Sequence, residues 1–211
     1  MADYLALLQS EVAAMADALR TADPARPVPG CPGWTVQDVG AHVTGVHRWA
    51  RAALDSDEVP AYDERAATDG PLDKAYAAAA AALVAALAER PDDAPAWTFD
   101  RHDRTAGFWK RRQLHEVAVH RWDVAPYQLT DEVAEDGIDE VLDFFLPRQI
   151  AMGRTTVPDG TLRLVAPGRT WQFGAGRPVV SVEGAPSDLL LGLWGRGDVD
   201  LGTWGRAGLT P

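Results

Sequence analysis

The feature that most limits the folds open to this chain is a change of hydrophobic period near residue 155. Before it, apolar residues recur at three- and four-residue spacing. After it, they alternate in short runs cut by glycines. Leu5, Leu8, Val12, Met15 and Leu19 mark a first helical stripe. The stretch 23–33 is too rich in Pro and Gly to be anything but a loop. Thr35 is placed to cap a second helix, with Asp38 as a weak capping-box partner, and Val36, Val39, Val43, Val46 and Ala50 form its buried face. A polar stretch from about Asp55 to Gly70 follows. Pro71 then suits the first turn of a third helix carrying Leu72, Tyr76, Ala80, Leu83 and Leu87, which Pro91 to Pro95 end. A fourth helix is expected from about Gly107 to Val124. A fifth is expected after Thr130, where Asp131 and Glu132 favour its positive end. It carries Ile138, Val141, Leu142 and Phe145, and Pro147 should kink or end it.

Beyond the change of period, Leu162 with Leu164, Trp171 with Phe173, and Val180 with Val182 read as three strands. Pro186 opens a short helix that Gly195 can terminate, and Val199 to Leu201 predict a last strand. The fold class is therefore α+β, with a bundle of four to five helices over 1–153 and a small α+β domain over 154–211. About 55 residues form a marginal core on their own, so the second domain is expected to dock on the bundle.

Composition removes several functions. Acidic residues exceed basic ones, 31 against 20, for a net charge of −11, and such a chain is repelled by phosphate backbones. The one basic knot, Lys110-Arg111-Arg112, is short. No apolar run approaches the ~20 residues of a membrane span. The start of the sequence shows no secretory pattern, and the single cysteine, Cys31, fits a reducing compartment, so a cytoplasmic protein is expected.

The chemistry concentrates in the fourth helix. Glu116 and His120 are four residues apart and share one face, on a polar line with Trp109, Gln113 and Asp123. His115 and His120 are five apart, so this is not the metalloprotease arrangement of two histidines on one face. A helical Glu–His pair is common by chance and often just solvated. A third metal ligand would have to come from another helix. His42 and His47 both qualify, each at an edge of the second helix's apolar face, and periodicity does not choose between them. Two imidazoles and one carboxylate would leave a coordination position open, as reactive rather than structural sites do.

The segment Cys31 to Trp49 (CPGWTVQDVGAHVTGVHRW) resembles the N-terminal signature of the mycothiol-dependent maleylpyruvate isomerase family. His115 to Asp123 (HEVAVHRWD) looks like its second signature. Gly184 to Leu191, followed by Trp194-Gly195-Arg196, looks like its C-terminal domain. The resemblance implies a DinB-like up-down helical bundle followed by a small domain similar to sterol-carrier-protein folds. It also implies His42, Glu116 and His120 as ligands of a divalent metal, taken as Zn2+, with mycothiol as thiol cofactor. His47 and His115 then fall to surface or supporting positions. Asp123 either orients a ligand or pairs with Arg121. Arg196 either holds a carboxylate of the substrate or thiol cofactor, as a catalytic and cofactor-binding residue, or forms an interdomain salt bridge. Cys31 reads as a small buried residue rather than a nucleophile, and Trp34 as a brace for the start of the second helix. The partners implied are a small-molecule thiol and a small electrophile. The reaction is an isomerisation of a maleylpyruvate-like dicarboxylate or a thiol S-transfer. A metal-dependent hydrolase and a non-catalytic metal or thiol sensor are the competing readings.

Overall fold

The computed structural model describes residues 2–62, 70–156 and 158–204. The part of the expected polar linker at 63–69 lies outside them. The chain divides into two compact units, residues 1–127 and 128–211.

Among the described residues, the first unit is a bundle of α1 (Tyr4–Thr21), α2 (Val36–Ala53), α3 (Leu72–Ala88) and α4 (Ala106–Val124). Both α1 and α2 pack on α3 and on α4. Helices consecutive in sequence, α1–α2 and α3–α4, therefore stand across the bundle from each other. The long connections 22–35 and 89–105 suit those crossings.

Three of these four helices, α1, α2 and α4, start at a side-chain cap. Asp3 accepts from the Ala6 N–H at α1, and Thr105 caps α4 through the Phe108 N–H. Thr35 and Asp38 form a reciprocal capping box at α2, satisfying two backbone donors that a helix start leaves free. Leu8, Met15, Val39, Val43, Tyr76, Leu83, Leu87, Trp109, Leu114 and Val117 make the core. At one end Trp49 meets Trp97 and Trp109 edge-on and stacks on Phe99 at 5.7 Å, while the Trp109 indole N–H donates to the Trp97 carbonyl at 2.6 Å.

The second unit begins with α5 (Asp131–Glu140), which packs on α7 (Pro186–Leu193). This differs from the expected boundary after residue 153, because the apolar side of α5 is covered by α7 within the second unit. The helical path also runs past Pro147. A π-helical stretch, Val141–Phe145, leads into α6 (Leu146–Ala151), which has Pro147 in its first turn. Proline cannot donate to the carbonyl one turn back, and the wider turn ahead of it accommodates that gap.

The described part of the sheet comprises β1 (Gly160–Ala166), β2 (Arg169–Ala175) and β3 (Val179–Glu183), in the order β2-β1-β3. β1 is antiparallel to β2, with Leu164 opposite Trp171, and parallel to β3, with Leu164 beside Val182. The strand expected at 199–201 does not form. Gly197 and Gly202 both have positive φ, and the Asp200 carboxylate accepts from the Gly202 N–H, so the chain turns there instead. Among the described residues no helix is long and apolar enough to cross a membrane.

Candidate metal centre

Glu116 and His120 project from the C-terminal half of α4, and His42 projects from the second turn of α2. His42 Nε2 lies 3.0 Å from Glu116 Oε1, and His120 Nε2 lies 3.5 Å from the same oxygen. One ligand atom from each of the three residues falls within 4.8 Å of the others. His42 and His120 are almost fully buried, and only 14% of the Glu116 side chain is exposed. His47, the other candidate on α2, goes elsewhere. It is buried in the bundle with Nδ1 2.7 Å from the Gln113 amide oxygen. His115 is buried too, so neither of these histidines occupies a surface position.

Each of the three converging side chains is held from behind. The Arg112 guanidinium donates to Glu116 Oε2 at 2.6 Å, leaving Oε1 toward the histidines. His120 Nδ1 faces Asp123 Oδ2 at 3.0 Å. His42 Nδ1 faces the Tyr62 hydroxyl at 3.3 Å, and the Trp34 ring packs 5.1 Å from the His42 ring. A histidine that offers Nε2 to a cation carries its proton on Nδ1, and these partners can receive it. Asp123 thus sits on His120, while Arg121 turns to Glu11 and lies over the Tyr127 ring. Burial alone would push the Glu116 carboxyl up. The hydrogen bond from His42 and the charges of Arg112, His120 and His42 outweigh it and hold the group well below the usual carboxylate range.

A carboxylate kept ionised between two imidazoles is a donor set that a borderline divalent cation takes, with a coordination position to spare. These residues therefore fit such an ion. Arg112 and Tyr62 were not singled out from sequence. Arg112 carried a signal, since it stands four residues before Glu116 and ion pairs form at that spacing. Tyr62, in the connection after α2, carried none.

Two of the three residues of the basic knot are taken up inside the bundle. Lys110 is buried against Asp92 and the Arg90 carbonyl, and Arg112 is committed to Glu116. Arg196 belongs to the second unit, just beyond α7. It is buried and donates from Nη1 to the Trp194 carbonyl at 2.8 Å.

Residues 5–125 match the family model described as the mycothiol maleylpyruvate isomerase N-terminal domain, and residues 132–211 match the C-terminal domain of the same family. Among solved structures, a crystal structure of a mycothiol-dependent maleylpyruvate isomerase is similar, with a TM-score of 0.72 and 18% identity. The match covers 92% of this chain and 89% of that one. A histidine-to-alanine mutant of that isomerase aligns over the same shares with a TM-score of 0.70 and 18% identity. At that identity the likeness is one of fold. No curated protein matches the sequence.

Proposed function

This chain belongs to the mycothiol maleylpyruvate isomerase family, and from that premise we propose a metal-assisted, thiol-dependent isomerase whose centre is His42, Glu116 and His120. The observation that carries the reading is the convergence of three ligand atoms from α2 and α4 within 4.8 Å, each braced on its far side by a separate residue. The donor set suits Zn2+. The thiol is of the mycothiol type and the substrate is a maleylpyruvate-like dicarboxylate, as the family's name indicates. A bound divalent cation supplies one thing, a lowered pKa for a thiol or water that coordinates it.

The chain's own residues do the rest. Glu116 contributes the negative charge that retains a cation, and Arg112 keeps one of its oxygens out of play. With a cation on Nε2 of both histidines, Asp123 and Tyr62 are placed to accept the Nδ1 protons of His120 and His42. Isomerisation by a thiol route adds sulfur to an activated double bond and allows rotation about the resulting single bond. Expulsion of the same sulfur then follows, so nothing is consumed. A route that stops at addition or displacement is an S-transfer, and the same residues serve it. Arg196 is proposed to hold a carboxylate of the substrate or thiol. Support for that role is its place after α7, which resembles that of the family's arginine, together with the planar fork of a guanidinium, which matches a carboxylate.

The test is metal analysis of untagged protein together with turnover of maleylpyruvate with and without mycothiol. One equivalent of metal and strictly thiol-dependent turnover are expected, both lost in His120→Ala and Glu116→Ala. Turnover without thiol would replace this reading with hydrolysis by a metal-bound water. Undiminished metal in His42→Ala would remove the proposed ligand set.

A further inference from the structure

Behind His120 lies a second layer of buried side chains, and the proposed reaction leaves its sulfur, Cys31, without a role. Asp123, in the last turn of α4, is buried with no part of its side chain exposed, and its Oδ2 sits 3.0 Å from His120 Nδ1. Cys31 Sγ is buried 3.6 Å from that same Oδ2. Cys31 comes from the turn before α2, the helix that carries His42. We infer that Asp123 is the positioning residue that fixes the His120 ring, and that the Cys31 thiol holds Asp123 in the rotamer that does so. The inference rests on His120 being a metal ligand.

The turn that carries Cys31 is built rigidly. Val28 N–H donates to the Trp34 carbonyl at 2.9 Å, Trp34 N–H to the Cys31 carbonyl at 2.9 Å, and Cys31 N–H to the Val28 carbonyl at 3.1 Å. The same loop reaches α4 a second time. The Arg26 guanidinium donates to the carbonyls of Asp123 and Val124, where a helix C-terminus has free acceptors and favours a cation. Two separate contacts thus tie the loop that leads into α2 to the last turn of α4.

A carboxylate accepts and does not donate, so Asp123 selects the His120 tautomer with hydrogen on Nδ1 and a lone pair on Nε2, the nitrogen facing Glu116. The imidazole N–H and the thiol S–H both point at one oxygen, which fixes the carboxylate as well as the ring. Partners of this kind behind a ligating histidine typically change metal affinity about 10–100-fold when removed.

Cys31 Sγ, His120 and Asp123 also lie within 4.8 Å of one another, so the same three residues could themselves receive a thiophilic cation. The two arrangements differ in what the sulfur does. As a donor to Asp123 it leaves no spectroscopic mark, whereas as a ligand it gives Co2+ a sulfur-to-metal charge-transfer band in the near ultraviolet.

The test uses the full chain, wild type beside Asp123→Asn, Cys31→Ala and Cys31→Ser. Zn2+ affinity is measured by competition with a chromophoric chelator, melting is measured on the metal-free protein, and Co2+ absorption is recorded on the loaded protein. Asp123→Asn is expected to weaken Zn2+ binding by about 10–100-fold. Cys31→Ala should lose a smaller part of that. Cys31→Ser, which keeps a donor at the position, should bind more tightly than Cys31→Ala, and the Co2+ spectrum should lack a charge-transfer band. A purely structural role would lower the melting temperatures and leave the affinities of the folded variants equal to wild type, and that result overturns the inference. A charge-transfer band in wild type that vanishes in Cys31→Ser also overturns it, by making Cys31 a ligand. If wild type takes up no Zn2+, the metal-centre reading falls and this one with it. One equivalent bound equally well by wild type and both Asp123→Asn and Cys31→Ala removes only the positioning role.

Discussion

Replacing Arg112 with Met offers the sharpest measure of how the candidate centre is held together. The guanidinium is buried, its partner Glu116 is only 14% exposed, and the Nη2–Oε2 separation is 2.6 Å. Methionine fills much of the same volume but leaves the carboxylate charged and short of its closest donor. Removing one member of a buried pair costs about 3–5 kcal/mol, because the survivor keeps its desolvation penalty. Glu116 retains its hydrogen bond to His42, so the low end, about 3 kcal/mol, is expected for metal-free protein. At roughly 2–4 °C per kcal/mol for a chain of this size, melting should fall by about 6–12 °C. Urea denaturation in the presence of chelator measures it. The double variant Arg112→Met with Glu116→Gln removes the orphaned charge and should recover more than half of the loss. Glu116 titrates well below its ordinary value of 4.5, so its share of stability is present above about that pH and disappears as pH falls below it. A loss under about 0.5 kcal/mol, the size of an ordinary surface change, would mean that this ion pair does not hold Glu116 in place. So would a double variant no more stable than Arg112→Met alone.

Two further outcomes follow from the same bundle. Burial lowers the His47 pKa to about 4 from 6.5. The unfolded chain therefore takes up a proton on falling below pH 6.5 that the native state refuses until about pH 4. Stability should decline through that window by up to about 3 kcal/mol. His47→Gln should flatten that slope in urea midpoints measured across the pH range, and an unchanged slope would show that His47 is not the group responsible. Thr35→Ala removes the reciprocal cap at the start of α2 and should cost about 1 kcal/mol in chemical denaturation without displacing the helix, with a neutral result counting against the cap.

Much of the scaffold was legible because its signals are local. The stripes of α1, α2, α3 and α5 need only a period of 3.6, the capping box needs only Thr35 and Asp38, and the three strands need only alternation between glycines. These are properties of neighbours in sequence, and they read the same before and after folding. The sharing of one face by Glu116 and His120 is of this kind, and so is Asp123 one turn beyond His120. The failures were also physical. Of the two outcomes expected at Pro147, a kink or an end, the end did not occur, because a π-helical stretch ahead of it absorbs the missing donor. Residues 199–201 did not extend because the flanking glycines, Gly197 and Gly202, and the side chain of Asp200 favour a bend.

Neighbours in sequence suffice to write the four helices of the bundle and to put a carboxylate and an imidazole together on α4. Tertiary structure decided which histidine of α2 joins them. His42 and His47 stand at opposite edges of one apolar face, and that choice depends on what α4 places opposite each: Glu116 against His42, Gln113 against His47. Tertiary structure alone also brought Tyr62 and Cys31 to the far sides of the cluster, and it buried Lys110 and Arg112 of the basic knot in ion pairs. A helix fixes the angles among its own residues, but the register between two helices is set by the packing of their whole contact surface, and no residue records that singly.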